Sequence, residues 1–514
     1  MLHSHRRPAK SKTFFGQPRQ LSTLFHIELW ERFSFYGMNS ILAMYLYHSV
    51  TKGGLGFSEA VGGSIATAYG GSVYLSTIFG GWVADRILGA ERTLFYSGVL
   101  VMLGHIALAL IPGVSGMIAG LVCIALGSGG VKSSASTMVG SLYENDEWRA
   151  RRDAGFSIFY IAINIGGMLG PLLTGILQEN IGFHYGFGLA AIGMAFGLWR
   201  YNHGRKELPK LTAPNPLPAN QRAAAAVIIA AVALTLIAAV HFDKINVNNY
   251  SRILLITIIV ATLGYFARLL LDPRVDSDHR RYIIAYIPLF ATVSVFAAEY
   301  SQFYSIVTIY FDQVMDRTIG SFTIPTGWKD SLQSLWVILF AGVTATLWTR
   351  LGDKQPKTPL KFALAMFILG SGYLFFVPFV RSGVVMGLVT FAFAILIITF
   401  GELLLSPIST SFATKIAPPH FRTQMIALNF LAFSLGFTLG SIIFRANYGV
   451  HFADPVVIDP ATALAHAAQQ PWHDYLQMVN TADFFALIGG LGIAAGVVLM
   501  LLVPLLNRLL KGID

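Results

Sequence analysis

The chain reads as an all-α membrane protein of about fourteen transmembrane helices, arranged as two six-helix bundles with two extra helices between them. Three observations predict this. Only 12% of its 514 residues are charged, about half the ~25% of an ordinary soluble domain, and the mean hydropathy is +0.61. Apolar stretches long enough for a bilayer of about 30 Å recur at roughly 24–47, 59–84, 93–112, 116–139, 153–178, 184–201, 222–241, 252–270, 283–310, 329–349, 359–380, 384–413, 423–444 and 482–507. Six of them precede a polar, proline-bearing segment from Arg200 to Gln221; two follow; then comes a charged segment from Asp272 to Arg281, and six more.

The distribution of charge orients these spans. With the N-terminus inside, about 27 of the 36 Lys and Arg fall on cytoplasmic segments, among them Arg6, Arg7, Lys10, Arg149, Arg151 and Arg152. That bias is the positive-inside rule. It accounts for the net charge of +10 without a nucleic-acid partner and places both termini in the cytoplasm of a cell whose inner membrane holds the protein. The expected organisation is a cytoplasmic tail (1–22), a first bundle (23–204), a connector carrying the two additional helices (205–281), and a second bundle (282–514) with a long outside loop at 446–480. The first apolar stretch is too long for a signal peptide. The single cysteine, Cys123, permits no internal disulfide and reads as a packing residue.

In the first span, Glu28, Glu31 and Arg32 stand in an otherwise apolar stretch. Charge in hydrocarbon is costly and is kept where it handles a proton, an ion or a polar substrate. Residues 28 and 32 are one helical turn apart, with Tyr36 one turn further on and Asn39 near it. Fifty glycines, as at Gly80-Gly81, Gly127–Gly130 and Gly166-Gly167, suit close helix approach in lipid. In the fourth span Lys132 follows Gly127-Ser-Gly-Gly-Val. The string lacks the glycine before lysine and the preceding strand of a phosphate loop, so Lys132 reads as a buried cation awaiting an anionic group. Asn164 lies in the fifth span. The extra pair at 222–241 and 252–270 is poor in charge and reads as peripheral. Glu299 and Gln302 occupy the ninth span. Glu402 lies in the twelfth, five residues before Pro407, which frees backbone carbonyls and makes a bendable helix. The histidines and acids of 446–480 match no ligand spacing, so no metal and no cofactor are expected beyond protons as coupling ions. No hydrolase, zinc-protease or nucleotide-binding motif is present, and an enzyme is not expected.

Cations (Arg32, Lys132) thus lie in the first half and an acid (Glu402) in the second. A zwitterion with separated carboxylate and amine bridges such a dipole. The acid pair Glu28 and Glu31 holds Arg32 while ionised and releases it when protonated.

These residues closely resemble motifs of the proton-dependent oligopeptide transporter family, a branch of the major facilitator superfamily, over nearly the whole chain. Glu28-Leu-Trp-Glu31-Arg32-Phe-Ser-Phe-Tyr36-Gly37 is similar to the family's ExxERFxYYG motif, with Phe35 in place of the first tyrosine. Gly80-Gly81-Trp-Val-Ala-Asp85-Arg86-Ile-Leu-Gly89 resembles the signature after the second helix, and Phe156–Gly166 the FYxxINxG signature of the fifth. The resemblance implies the major facilitator fold and a proton-coupled symporter importing short peptides by alternating access. It implies that Arg32 and Lys132 receive the peptide carboxylate and Glu402 its amino terminus. It further implies that Tyr36, Tyr74, Asn164 and Gln333 line the pocket, that Glu28, Glu31 and Arg32 couple the proton, and that Asp85 and Arg86 form a conformational latch. The expected partners are a small peptide or peptide-like substrate, protons and the lipid bilayer, with the chain acting as a monomer.

Four positions depart from the pattern. Asn39 stands where members carry arginine and Ser301 where they carry glutamate, so both charges of an outer-gate pair are missing together. Gln333 replaces an asparagine and Asn429 a tryptophan. Two alternatives therefore stay open: a proton-coupled transporter of another small zwitterion or anion, and a receptor that binds ligand without moving it.

Overall fold

The computed structural model describes residues 13–448 and 470–513. A two-stranded hairpin pairs Thr13–Phe14 with Gln17–Pro18. Fourteen long helices follow: α1 (Leu21–Tyr47), α2 (Glu59–Val83), α3 (Ala90–Leu110), α4 (Gly113–Ser141), α5 (Arg152–Asn180), α6 (Phe183–Gly204), α7 (Ala219–His241), α8 (Tyr250–Leu271), α9 (Ser277–Tyr300), α10 (Trp328–Leu351), α11 (Thr358–Leu374), α12 (Leu388–Lys415), α13 (Arg422–Tyr448) and α14 (Gln470–Leu509). The all-α membrane architecture is thus as the sequence predicts. Eleven of the helical stretches are apolar enough to cross a bilayer unaided. The three that fall short are α1, α2 and α6. α1 carries the Glu28, Glu31 and Arg32 charges, and protein rather than lipid covers most of its length.

Local sequence sets several helix ends. Ser58 caps α2 through its hydroxyl, which accepts the Val61 N–H at 3.4 Å and so satisfies one of the first-turn donors. Asp276 does the same for α9, accepting from the His279 N–H at 2.9 Å. Arg274 beside Asp272 holds that carboxyl well below its usual range, an exposed pair fixing the turn before α9. After α2 a π-helical turn (Ala84–Leu88) ends at Gly89, whose φ of +79° favours glycine.

In the first half, α1 packs on α5 and α6, α3 on α4 and α6, and α2 on α4; in the second, α9 packs on α13 and α14, and α11 on α12 and α14. The halves meet along two seams, α2 with α13 and α5 with α10. Glycine makes these seams close. Ser434 donates its hydroxyl to the Gly71 carbonyl at 2.7 Å, and a Cβ on Gly71 would lie 2.5 Å from the Thr438 hydroxyl. α8 packs on α2 and α13, whereas α7 has no buried residue.

Three sequence-based boundaries shift. The ninth span, expected unbroken over 283–310, is interrupted: α9 ends at Tyr300, a 3-10 turn covers Ser301–Tyr304, and a short helix resumes at Ile306–Gln313. No proline or glycine marks the break. Tertiary contacts hold it, with the Lys329 ammonium donating to the Phe303 carbonyl at 3.1 Å. The loop expected at 446–480 is shorter, since α13 runs to Tyr448 and α14 begins at Gln470; its histidines and acids at 451–466 lie outside the described residues. Of the tail expected at 1–22, residues 13–18 form the hairpin and α1 has begun by Leu21.

The α1–α5 contact is close. A Cβ at Gly170 would collide with the Phe33 carbonyl oxygen, a backbone atom that cannot step aside. Gly170→Val is expected to destabilise the protein by about 1–3 kcal/mol, read as a lowered unfolding temperature in detergent. Gly264→Val, where a Cβ meets nothing within 4 Å, is expected to leave that temperature unchanged.

Candidate functional site

The charged residues of α1 lie against α5 and α4, sealed from lipid. The Arg32 Nε donates to Glu28 Oε1 at 2.8 Å and lies 3.0 Å from Glu31 Oε2. Glu31 is fully buried and Arg32 is 4% exposed. The second Glu31 oxygen accepts the Ser128 hydroxyl at 2.8 Å. α5 presents Gly166 to this stretch, since a Cβ there would lie 2.8 Å from the Arg32 Cβ. Only one edge of the guanidinium is used. Its two Nη groups make no hydrogen bond to any described residue.

Lys132 on α4 is held by aromatic faces, with Nζ 4.5 Å from the Tyr74 ring centroid and 5.6 Å from that of Phe35. It makes no hydrogen bond or ion pair with the described residues, yet lies within electrostatic reach of Arg32, Glu31 and Glu28. Tyr74 in turn stacks on Phe433 of α13 at 5.2 Å, so the Lys132 platform belongs to both halves. Opposite, Glu402 on α12 accepts from the Gln333 side-chain amide at 3.0 Å, and that amide also donates to the Tyr300 hydroxyl at 2.7 Å. Tyr36 and Tyr74 are each within electrostatic reach of both Arg32 and Glu402, and Tyr160 of Glu402. A Cβ on Gly167 would touch both Tyr36 on α1 and Ser334 on α10. Arg32, Lys132 and Glu402 therefore group around Tyr36 and Tyr74 in one region between the halves, the chamber. Asn164 lies on the same stretch of α5, its amide donating back to the Tyr160 carbonyl at 2.9 Å.

Asp85 and Arg86 sit apart from the chamber on the turn after α2. Their backbone carbonyls accept the Asn215 and Leu217 N–H groups at 3.1 and 2.9 Å, which docks the connector onto the turn. Partial burial pushes the Asp85 carboxyl up, and neighbouring Arg86 opposes this.

At the opposite end of the spans the halves are tied together by side chains that sequence reasoning missed. Asp312 accepts the hydroxyls of Tyr47 at 2.7 Å and Thr326 at 2.9 Å, and lies 2.9 Å from His48 Nε2 and 3.4 Å from Arg317. Glu59 accepts from Gln313 at 2.6 Å and Tyr448 at 2.8 Å, and Glu179 pairs with Arg317 at 3.6 Å. Among the described residues, no hydrogen bond or ion pair joins the first and last six helices between the Ser434–Gly71 contact and the end where α2 finishes. The only signal for these residues in the sequence was their place at span ends, where charge is ordinary.

Of the four departures, only Gln333 serves the chamber. Ser301 is fully buried and donates to the Ala298 carbonyl at 2.7 Å. Asn429 is satisfied by Tyr286 and Thr410, each at 3.1 Å. Asn39 makes no side-chain hydrogen bond to a described residue. Glu299 turns to α14, where glycine at 492 leaves it room. A buried Lys329–Asp330 pair at 3.0 Å, also unforeseen, pins the broken stretch after α9.

Comparison with known proteins agrees with this geometry. The family model described as the POT family matches residues 91–451. A di-/tripeptide transporter of Lactococcus lactis subsp. cremoris is 40% identical, covering 86% of this chain and 92% of its own. The peptide transporter YePEPT of Yersinia enterocolitica subsp. palearctica is 34% identical over 83% of this chain and 87% of its own. A crystal structure of the peptide transporter POT with sulfate superposes with a TM-score of 0.86 at 35% identity, covering 98% of each chain. A POT family transporter solved with 5-aminolevulinic acid gives 0.84 at 28% identity, covering 97% of this chain and 98% of that one. These neighbours have the major facilitator fold. The chain belongs to the POT family.

Proposed function

We propose that this protein is a proton-coupled symporter that imports di- and tripeptides by alternating access. The observation that carries the reading is the half-used guanidinium: two carboxylates hold the Arg32 Nε, while its Nη fork and the Lys132 ammonium are left without hydrogen bonds to the described residues. A planar fork of this kind suits a bidentate carboxylate. On the facing half, Glu402, already oriented by Gln333, suits an ammonium.

The residues then act as follows. Peptide carboxylate binds the Arg32 fork and Lys132; the amino terminus binds Glu402; Tyr36, Tyr74 and Asn164 line the space between. Protonation of Glu28 or Glu31 removes a negative charge beside Arg32, which strengthens its hold on the peptide carboxylate. Deprotonation returns Arg32 to the acids and lowers affinity. The halves 23–204 and 282–514 rock about the α2–α13 and α5–α10 seams, with 205–281 as connector. The contacts of Asp312 and Glu59 break in the opposite state, while the turn at Asp85 and Arg86 latches the other end. The Lys and Arg bias supports an orientation in which the end bearing the Asp85–Arg86 turn, together with both termini, faces the cytoplasm from the inner membrane. The chain works as a monomer, with protons and no cofactor or metal, and its partners are peptide and lipid rather than nucleic acid.

A second reading keeps the mechanism and changes the cargo to another small zwitterion. The uncharged Asn39 and Ser301 and the longer Gln333 favour it, and a POT family transporter has been solved with 5-aminolevulinic acid. A thermal-shift series separates the two: stabilisation by many di- and tripeptides supports peptide import, and stabilisation only by non-peptide zwitterions supports the second.

Reconstituted protein is expected to accumulate labelled dialanine when an inward proton gradient is imposed. Glu28→Gln and Glu31→Gln are each expected to lose that stimulation while retaining exchange of peptide across the membrane; undiminished gradient dependence in both contradicts the assignment. Gln333→Leu removes a hydrogen bond to a charged group and is expected to weaken dialanine binding by about tenfold or more, read by titration, without altering the gradient dependence of the remaining uptake.

A further inference from the structure

The chamber does not account for a second cavity, of about 950 Å³, at the end of the spans where α2 and α6 finish. Its walls are the turn after α2, the first turn of α3, the end of α6, the connector and the first turn of α7. Arg92, His203, Arg205, Lys206, Lys210 and Arg222 line it, with Glu91 as the one acid of the lining. Glu91 is already taken by Arg205, which approaches its two oxygens at 2.9 and 3.2 Å. Arg222 uses only its Nε, on the Leu217 carbonyl at 3.0 Å. Arg92, Lys206 and Lys210 make no hydrogen bond or ion pair with the described residues. Several like charges thus converge on one hollow with almost no counter-charge, an arrangement that gains stability from a multivalent anion.

The cavity is built by the fold. Gly89, at φ +79°, is where a Cβ would strike the Leu211 carbonyl, so only glycine lets the connector close over the turn. The Asn215 and Leu217 N–H groups then tie it to Asp85 and Arg86. A separate observation indicates what kind of anion it takes. α7 rises from the rim of this cavity, and none of its residues is buried; Val227, Ile228, Leu234 and Ile237 all stand exposed along it. Lipid chains must therefore cover α7, and a lipid lying against it in the same leaflet carries its headgroup to the level of Arg222.

We propose that this cavity binds the phosphate of an anionic phospholipid whose acyl chains run along α7. The phosphate bridges the turn after α2, the end of α6 and the connector. It thereby ties the Asp85–Arg86 turn to the membrane surface. The assignment to the cytoplasmic leaflet rests on the orientation proposed above. The binding itself does not, so a failed topology experiment and a failed lipid experiment are distinguishable.

The test is native mass spectrometry of the purified full chain, titrated with phosphatidylglycerol or zwitterionic phosphatidylcholine. Wild-type protein is expected to bind phosphatidylglycerol at least tenfold more tightly. The triple variant Arg92→Gln/Lys206→Gln/Lys210→Gln is expected to lose that preference. Lys210→Glu alone, outside any helix, is expected to weaken it severalfold. Arg149→Gln/Lys354→Gln/Lys415→Gln, which removes as much charge elsewhere at the same end, is expected to keep it. An unchanged dialanine-induced thermal shift reports that each variant is folded. Equal binding of the two lipids, retention by the cavity variants, or equal loss in the control triple overturns the proposal. So does displacement of the lipid by millimolar inorganic phosphate, which assigns the cavity to a free anion.

Discussion

Everything about this molecule follows from keeping one guanidinium dry. Arg32 sits in the middle of the first half with two carboxylates on its Nε edge, and in hydrocarbon such a group persists only if protein encloses and neutralises it. The enclosure explains why α1 is covered by α5 and α6, why α5 carries Gly166 and Gly170 where it crosses α1, and why Ser128 donates to Glu31. Two acids against one arginine leave the cluster with an excess negative charge. The free Lys132 nearby opposes that charge from α4. The result is a group of four ionisable side chains within electrostatic reach of one another.

The second half answers with a simpler device. Glu402 is oriented by one amide, and that amide is fixed by the Tyr300 hydroxyl. Because Tyr300 ends α9 where the helix breaks, the acid's orientation is coupled to the geometry of the break, and the break is pinned by the buried Lys329–Asp330 pair. Asn39 and Ser301 are uncharged, so neither contributes an ion pair between the halves. The ties between the halves lie instead at Asp312, His48, Glu59 and Arg317, at the ends of the spans. The Asp312 cluster is itself largely buried, with the Asp312 side chain 8% and that of Arg317 14% exposed.

Much of this was legible in the amino-acid sequence because charge in an apolar stretch is a local anomaly. Glu28, Glu31, Arg32, Lys132 and Glu402 announced themselves in that way, and the structure brings them to one chamber. What failed to show had no local signature. Ser128 is one serine among many; its importance comes from facing Glu31 across α4 and α1. The break after Tyr300 contains no proline or glycine and is held by distant partners: Gln302 within it donates to the Gly440 carbonyl, and Lys329 reaches the Phe303 carbonyl from outside. Asp312 and Glu59 lie at span ends, where acids need no special reason. Glu299, two residues before Ser301, is turned by the helical phase to α14.

The account stands on the claim that protonation within the α1 acid pair accompanies peptide binding. Infrared difference spectroscopy of the reconstituted protein on addition of dialanine tests this most directly. A protonated-carboxyl band is predicted to appear in the wild type and to vanish in the Glu28→Gln/Glu31→Gln double variant with peptide still bound. A band of undiminished intensity in the double variant, or none in the wild type, would contradict it.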